Sequence, residues 1–329
     1  MRNWLLPESI DDVLPAEASQ LEALRRTVLD HFAQHAYRLV QPPLIEHLES
    51  LLTGSGRDLD LQTFKVVDPL SGRLVGVRAD ITPQVARIDA HLLNEAGATR
   101  LCYAGSVLRA AADAPGATRE VIQVGAELFG VPGIDGDREV IALLTSSLAC
   151  TGLTRLHLDL GHVGVYRALA SGAGIGANGD DTQLFHALRT KDQPAVCALT
   201  KDLPGAWRSA FQALPTLYGP AAEVLRAARG QLPDIPSIAN ALSALDALAQ
   251  AATPQVEALH IDLADLRGYH YHNGAIFSVF TAGEASAVGN GGRYDGIGKA
   301  FGRARPATGF TLDLRHLAEV LGRGVRDDF

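Results

Sequence analysis

The stretch TREVIQVGAELFG, Thr118–Gly130, decides how the rest of the chain is read. Its core, Glu120–Phe129, alternates as a strand does, with successive side chains on opposite faces. Ile122, Val124, Ala126 and Leu128 then form one apolar face, and Gln123, Gly125 and Glu127 share the other. Gly125 carries no side chain, so the two polar groups stand beside an open floor. If that face is covered, Gln123 and Glu127 need partners, because an unpaired buried polar group costs roughly 1–3 kcal/mol. A small polar ligand is one such partner; an edge strand with a solvated face is the alternative.

Immediately upstream, RLCYAGSVLR, Arg100–Arg109, has the pattern of a second strand. Between them lies AAADAPGAT, in which Gly and Pro mark a loop. Strand, loop and strand predict an antiparallel hairpin with a long tip. Five of the nine residues between Arg109 and Arg119 are alanine, and Asp113 is the only charged one, an odd composition for a loop beside a binding site.

Working outward, Leu21, Leu24, Val28 and Phe32 recur at helical spacing and predict an amphipathic helix over 19–35. Pro42-Pro43 stops a helix and starts the extended segment LIEHL. FKVVD and RLVGVRAD predict two strands around the turn PLSG. TPQVARIDAHLL, residues 82–93, predicts a helix with Thr82 as N-cap and Pro83 at the first helical position. Asp80 favours the positive end of that helix, and a carboxylate there can also hold a ligand ammonium group.

Downstream, DREVIALLTSSLAC predicts a helix over 137–150, and LTRLHLDLGH a strand with Leu156, Leu158 and Leu160 on one face. Residues 165–253 are rich in Ala and Leu and are broken at KDLPG, LYGP and LPDIP. They read as an inserted helical subdomain within a core formed by 1–164 and 254–329. EALHIDLADL returns to a strand pattern. Asn273-Gly274, a strong two-residue hairpin signal, is expected to join GYHYH to AIFSVF, with Arg267, Tyr269 and Tyr271 on one face and His270 and His272 on the other. VGNGGRYDG reads as a glycine-rich loop, and TGFTLDLRHLAEVL as a strand or turn passing into a helix. Helices do not alternate regularly with strands, so the fold class expected is α+β, an antiparallel sheet flanked by helices.

Composition narrows the function. The 329 residues are 47% hydrophobic and 20% charged, enough for a sizeable core, and the net charge of −8 does not favour a broad nucleic-acid or membrane surface. Cys102, Cys150 and Cys197 are odd in number and far apart, which fits a reducing cytoplasm and no disulfide framework or zinc knuckle. The N-terminus lacks a secretory pattern, and no apolar run is long enough to span a membrane. His157-x-Asp159 and His260-x-Asp262 invite a metal reading, but no third ligand follows at a familiar spacing, and no metal is expected. The match GIGANG, Gly174–Gly179, follows a helical stretch rather than a strand, and GNGGRYDG lacks the order of a Walker loop.

Taken together these segments resemble the catalytic core of histidyl-tRNA synthetase, a class II synthetase. The carriers are YRLVQPPLIE with Pro43 (motif 1), VRADITPQVAR, VLR…TREVIQVGAELFG (motif 2), LRGYHYHNGAIF, and GNGGRYDG…ATGFTLDLRHL (motif 3), in that order over nearly the whole chain. WLLPESIDDVLP is more similar still to a paralogous family, the regulatory subunits of ATP phosphoribosyltransferase.

The resemblance implies a class II synthetase-like core and a histidine pocket. Asp80, Thr82 and Gln123 would surround the α-ammonium group, Glu127 would read the imidazole, and Arg109 and Arg267 would face the carboxylate. Tyr271 and His272 stand where a Tyr-Tyr pair is usual. It also implies L-histidine as ligand, with no cofactor and no catalytic residue. The synthetase loop that handles ATP phosphates and the tRNA end is rich in positive charge; here alanine fills it. At the motif 3 arginine stands His316, with Arg315 one residue early, about 100° away around a helix. Chemistry at phosphates relies on placed positive charge, so activation of histidine is not expected. The chain ends 12 residues after Leu317, so neither an anticodon-binding domain nor tRNA as a partner is expected. The implied role is a non-catalytic subunit that activates a short-form catalytic ATP phosphoribosyltransferase subunit and conveys feedback inhibition by histidine, as a homodimer within a hetero-oligomer. Retained Arg109 and Arg267 leave one alternative, a stand-alone enzyme that adenylates histidine for a non-tRNA acceptor.

Overall fold

The computed structural model describes residues 5–53, 57–112, 117–176 and 182–324. The chain forms two compact units, Met1–Val131 with Ser146–Thr154 and Asp295–Phe329, and Pro132–Thr145 with Arg155–Tyr294. In chain order the elements are α1 (Pro15–Gln34), β1 (Arg38–Leu39), β2 (Ile45–His47), α2 (Leu48–Leu51), α3 (Arg57–Gln62), β3 (Phe64–Val67), β4 (Leu74–Val77), α4 (Thr82–Arg87), β5 (Thr99–Leu108) and β6 (Glu120–Phe129). Then follow α5 (Gly133–Cys150), β7 (Leu156–His162), α6 (Val163–Gly172), α7 (Thr182–Arg189), α8 (Gln193–Leu199), α9 (Gly205–Ala213), β8 (Tyr218–Pro220), α10 (Ala221–Gln231) and α11 (Pro236–Ala252). Last come β9 (Ala258–Asp262), β10 (Ala275–Thr281), β11 (Gly289–Arg293), β12 (Ala307–Asp313) and α12 (Leu314–Gly324).

In the first unit four strands run in the order β1-β5-β6-β12. β5 and β6 are the expected antiparallel hairpin, in register from Thr99 opposite Phe129 to Leu108 opposite Glu120. β12 closes on the other side of β6, antiparallel, with Gly309 opposite Glu127 and Asp313 opposite Gln123. β6 is therefore flanked by strands on both sides, and the edge-strand reading falls. Helix α1 buries Leu21, Leu24, Val28 and Phe32, the stripe that its spacing predicts, and the Phe32 ring meets Phe310 of β12 edge-on at 5.7 Å. A small antiparallel sheet, β2-β4-β3, contains the two strands expected around PLSG. Helix α4 continues through a π-helical turn, Ile88–Leu93, as one helical segment.

In the second unit five strands run in the order β11-β10-β7-β9-β8. β7 and β9 are parallel, and helices α6 to α11 lie in the chain between them. Leu156, Leu158 and Leu160 share the buried face of β7, as alternation predicts. Two expectations fail here. GYHYH is not a strand: Gly268 takes φ +61°, and the N–H groups of Tyr271 and His272 both donate to its carbonyl, at 2.8 and 2.7 Å. The segment is a run of turns, so Arg267, Tyr269 and Tyr271 do not alternate as on a strand. The partner of β10 is instead β11, which comes from the supposed glycine loop GNGGR. Glycine is a poor strand residue on its own, but a neighbour demands it here. A Cβ on Gly292 would stand 2.8 Å from both the Ala275 carbonyl oxygen and the His272 ring.

His162 closes β7 and caps α6, its Nδ1 accepting the Gly164 N–H at 3.1 Å. Burial, followed by the nearby Arg167 charge, pulls its imidazole down to about 4. The folded chain thus holds His162 neutral, while the unfolded chain protonates it below about pH 6.5. Its contribution to stability is complete above that value and is lost as pH falls towards 4. Urea midpoints measured from pH 7 to pH 4 are expected to lose about 1–3 kcal/mol through this group. His162→Asn, which keeps a capping side chain without a titrating ring, is expected to remove that part of the slope.

Candidate functional site

The polar face of β6 is covered. Gln123 is 3% exposed and Glu127 1%. What covers it begins with Tyr103, directly opposite Gly125 on β5. Its ring lies across the glycine, where a Cβ would stand 2.5 Å from the phenol carbon and 2.6 Å from the Phe310 carbonyl oxygen. The floor left by Gly125 is therefore filled, not open. The Tyr103 hydroxyl donates to Glu127 Oε1 at 3.2 Å and meets Thr82 Oγ1 at 3.1 Å. Burial first, then the Glu127 and Asp80 carboxylates, push the phenol well above its ordinary value, so it keeps its proton. On the far side Glu127 lies over Gly309 of β12, where a Cβ would collide with its carboxylate.

Gln123 ties this floor to the start of α4. Its Oε1 accepts the Ile81 N–H at 2.9 Å, and its Nε2 donates to Asp80 Oδ1 at 2.9 Å. The same Asp80 oxygen accepts the Thr82 N–H at 3.1 Å. Thr82 was expected as the N-cap, but it is the first helical residue and its hydroxyl serves Tyr103. Asp80 holds the helix end instead. A short carboxylate two residues upstream reaches the amide, and that frees Thr82 for the sheet.

Asp80, Thr82, Gln123 and Glu127 are thus brought together, with Tyr103 as the central link that the sequence reading missed. Its signal was present: the β5–β6 register puts Tyr103 opposite the glycine between the two polar residues. Asp80 leaves Oδ2 without a partner among the described residues, and it is half-buried. The arrangement offers carboxylates at two depths, one at the helix end and one deep over β12. It suits a ligand that carries a cation at one end and N–H donors at the other.

Arg109 stands at the edge of the loop. Its amide pairs with the Arg119 carbonyl at 2.9 Å; burial pushes the nearby Asp313 carboxyl up, opposed by the His316 and Arg315 amides and, more weakly, by the Arg109 guanidinium. Arg119 is structural: it lies 4.8 Å over the Phe64 ring and donates to the Arg109 and Glu8 carbonyls. Asp113–Gly116, within the alanine loop, lie outside the described residues, as do Ala177–Gly179 of the GIGANG match. Asp313, a second residue not foreseen, caps α12 by accepting the Arg315 and His316 N–H groups at 2.9 and 3.4 Å.

In the second unit Arg267, Tyr271 and His272 share one loop. The Arg267 guanidinium forks onto Asp265, Nε to Oδ1 at 3.0 Å and Nη2 to Oδ2 at 2.6 Å, and remains 48% exposed. Tyr271 stacks on Tyr294 at 4.9 Å and meets His272 edge-on at 5.2 Å. The His–Asp pairs sit on the parallel neighbours β7 and β9, with His260 Nδ1 3.7 Å from Asp159 Oδ1 and Asp262 held by Lys191 at 2.5 Å. Among the described residues no three His, Cys, Asp or Glu side chains group as metal ligands, and no helix is long and apolar enough to cross a membrane.

The family model of histidyl-tRNA synthetase matches residues 9–317. A curated relative from Ralstonia nicotianae, named ATP phosphoribosyltransferase regulatory subunit, is 56% identical over 320 residues, 97% of this chain and 82% of that protein. The chain belongs to the ATP phosphoribosyltransferase regulatory subunit family, a paralogue of histidyl-tRNA synthetase. A relative of the same name from Thiobacillus denitrificans is also 56% identical and covers 96% of this chain and 98% of its own length. A solved structure from Bacillus halodurans C, titled an ATP phosphoribosyltransferase regulatory subunit/histidyl-tRNA synthetase, superposes with a TM-score of 0.85 at 27% identity, over 96% of this chain and 83% of that one. The class II synthetase-like fold is thereby established, and membership places the chain among regulatory subunits rather than catalysts.

The packing over Gly125 yields a direct test. Gly125→Ala is expected to lower stability by about 1–3 kcal/mol, because one of the two colliding groups is backbone and cannot swing away. Gly205→Ala, in open space at the start of α9, serves as control and is expected to change stability little. Thermal unfolding of the two variants makes the comparison.

Proposed function

We propose that this chain is the histidine-responsive regulatory subunit of an ATP phosphoribosyltransferase. It activates a short-form catalytic subunit and conveys feedback inhibition by L-histidine in the first step of histidine biosynthesis. The observation that carries the ligand reading is the string Asp80–Gln123 and Thr82–Tyr103–Glu127 on one covered sheet face. It supplies a carboxylate for an α-ammonium group and a deep, desolvated carboxylate for an imidazole N–H. Asp80, Thr82 and Gln123 are the ammonium contacts in this reading, and Glu127 is the imidazole contact. Arg109 and Arg267 are assigned to the ligand carboxylate, and Tyr271 and His272 to its ring, on the family resemblance alone.

The partners that complete the reading are a short-form catalytic subunit and a second copy of this chain, a homodimer within a hetero-oligomer in the cytoplasm. No tRNA and no cofactor take part, and residues 165–253 act as an inserted helical subdomain. The stand-alone adenylating alternative has less support, since alanine fills the part of the loop beside Arg109 that is described.

Calorimetric titration of L-histidine tests the pocket. A buried charge-assisted hydrogen bond is worth about 1.5–3 kcal/mol, or roughly 10- to 150-fold in affinity. Glu127→Gln is expected to weaken histidine binding by at least about tenfold, and Glu120→Gln, at the outer end of the same strand, to leave it unchanged. Equal affinity in wild type and Glu127→Gln would remove Glu127 from the site.

A further inference from the structure

The loop Leu266–Gly274 has no strand ladder to fix its shape, yet it presents three of the assigned ligand residues. The Tyr269 and His272 carbonyls, which its own turns do not use, must find donors elsewhere. Arg167, on α6, supplies them: its Nη2 donates to the Tyr269 carbonyl at 2.9 Å and to the His272 carbonyl at 2.8 Å. One nitrogen thus holds two carbonyls three residues apart, which sets the curvature of the turn between them. The Arg167 guanidinium also lies 4.8 Å over the Tyr269 ring.

Aromatic packing reinforces the clamp from the same helices. Tyr269 is buried and meets Tyr166 of α6 edge-on at 5.2 Å and Phe185 of α7 at 5.3 Å. Phe185 in turn stacks on His270 at 6.0 Å. At the other end of the loop the His272 ring is pressed onto two glycines. A Cβ on Gly268 would stand 2.6 Å from it, and one on Gly292 2.8 Å. Tyr269 and His270 anchor it to α6 and α7, while Arg267 forks onto Asp265, Tyr271 stacks on Tyr294 and His272 packs on the two glycines.

We infer that Arg167 is a positioning residue of the ligand site. By clamping the Tyr269 and His272 carbonyls it holds the loop in the form that presents Arg267, Tyr271 and His272. This rests on the histidine reading above. The helices between β7 and β9 become part of the ligand response through it: a ligand that draws Arg267 off Asp265 pulls on a loop anchored to α6 and α7.

The test compares the full-length wild type with Arg167→Met, which keeps much of the packing stem and removes the donors, and with Arg167→Lys, which restores one donor. Histidine affinity is measured by calorimetry, amide exchange of each segment by mass spectrometry, and stability by thermal unfolding. The expected result has three parts. Arg167→Met weakens histidine binding by about tenfold or more and speeds exchange in 266–274 at residual stability well above the assay temperature, and Arg167→Lys recovers part of the affinity. Added histidine slows exchange in 266–274 and in 163–172 of the wild type. Unchanged affinity in folded Arg167→Met, with or without a loss of stability, would overturn the positioning role and leave the histidine reading standing. A wild type that binds no histidine would instead overturn the histidine reading, and this inference with it.

Discussion

The hydroxyl of Tyr103, laid across Gly125 and held between Thr82 and Glu127, is the interaction on which the site depends. It exists because two side chains are missing. Gly125 lets the phenol cross β6, and Gly309 lets the Glu127 carboxylate lie over β12. Gln123 and Glu127 are taken out of water by the Tyr103 ring and the start of α4, so each must be bonded or charged against something specific. The protonated phenol donates to one carboxylate, and Gln123 carries the network to the other at the end of α4. In such a connected network one altered partner is felt by the rest.

That constraint explains how a synthetase-like floor serves regulation. An amino-acid pocket needs oriented acceptors and donors; activation with ATP also needs positive charge placed over phosphate. In this chain Thr82, Gln123 and Glu127 are buried and oriented by hydrogen bonds, with Asp80 half-buried at the end of α4. At the second, α12 begins with its own carboxylate, Asp313, accepting the first helical N–H groups and lying near Arg109. A buried carboxyl group thus caps the helix and stands near Arg109. In the proposed reading the pocket reports a ligand without transforming it, and coupling between two such sites of about 1–3 kcal/mol is enough for control.

Much of this was legible in the sequence. Period-two alternation over Glu120–Phe129 identified the two polar residues and the glycine between them, and helical spacing identified the buried stripe of α1. What was not legible came from neighbours distant in the chain. The Asn273-Gly274 signal is local, and it lost to Gly268, whose left-handed backbone turns the chain early, and to the anchoring of Tyr269 and His272 by Arg167. The GNGGR segment has poor strand propensity, yet it pairs with β10 because its bare backbone makes room for the His272 ring. Thr82 has the right chemistry for a cap, but Asp80 reaches the amide and the sheet claims the hydroxyl. The contacts with Arg167, β10 and Tyr103 thus overrode sound local preferences.

The most direct measurement is a rate. This chain is mixed with a short-form catalytic ATP phosphoribosyltransferase subunit, and phosphoribosyl-ATP formation is followed with and without L-histidine. The proposed regulatory role requires a rate that rises on mixing and falls as histidine is added. A rate that neither rises on mixing nor responds to histidine would contradict it.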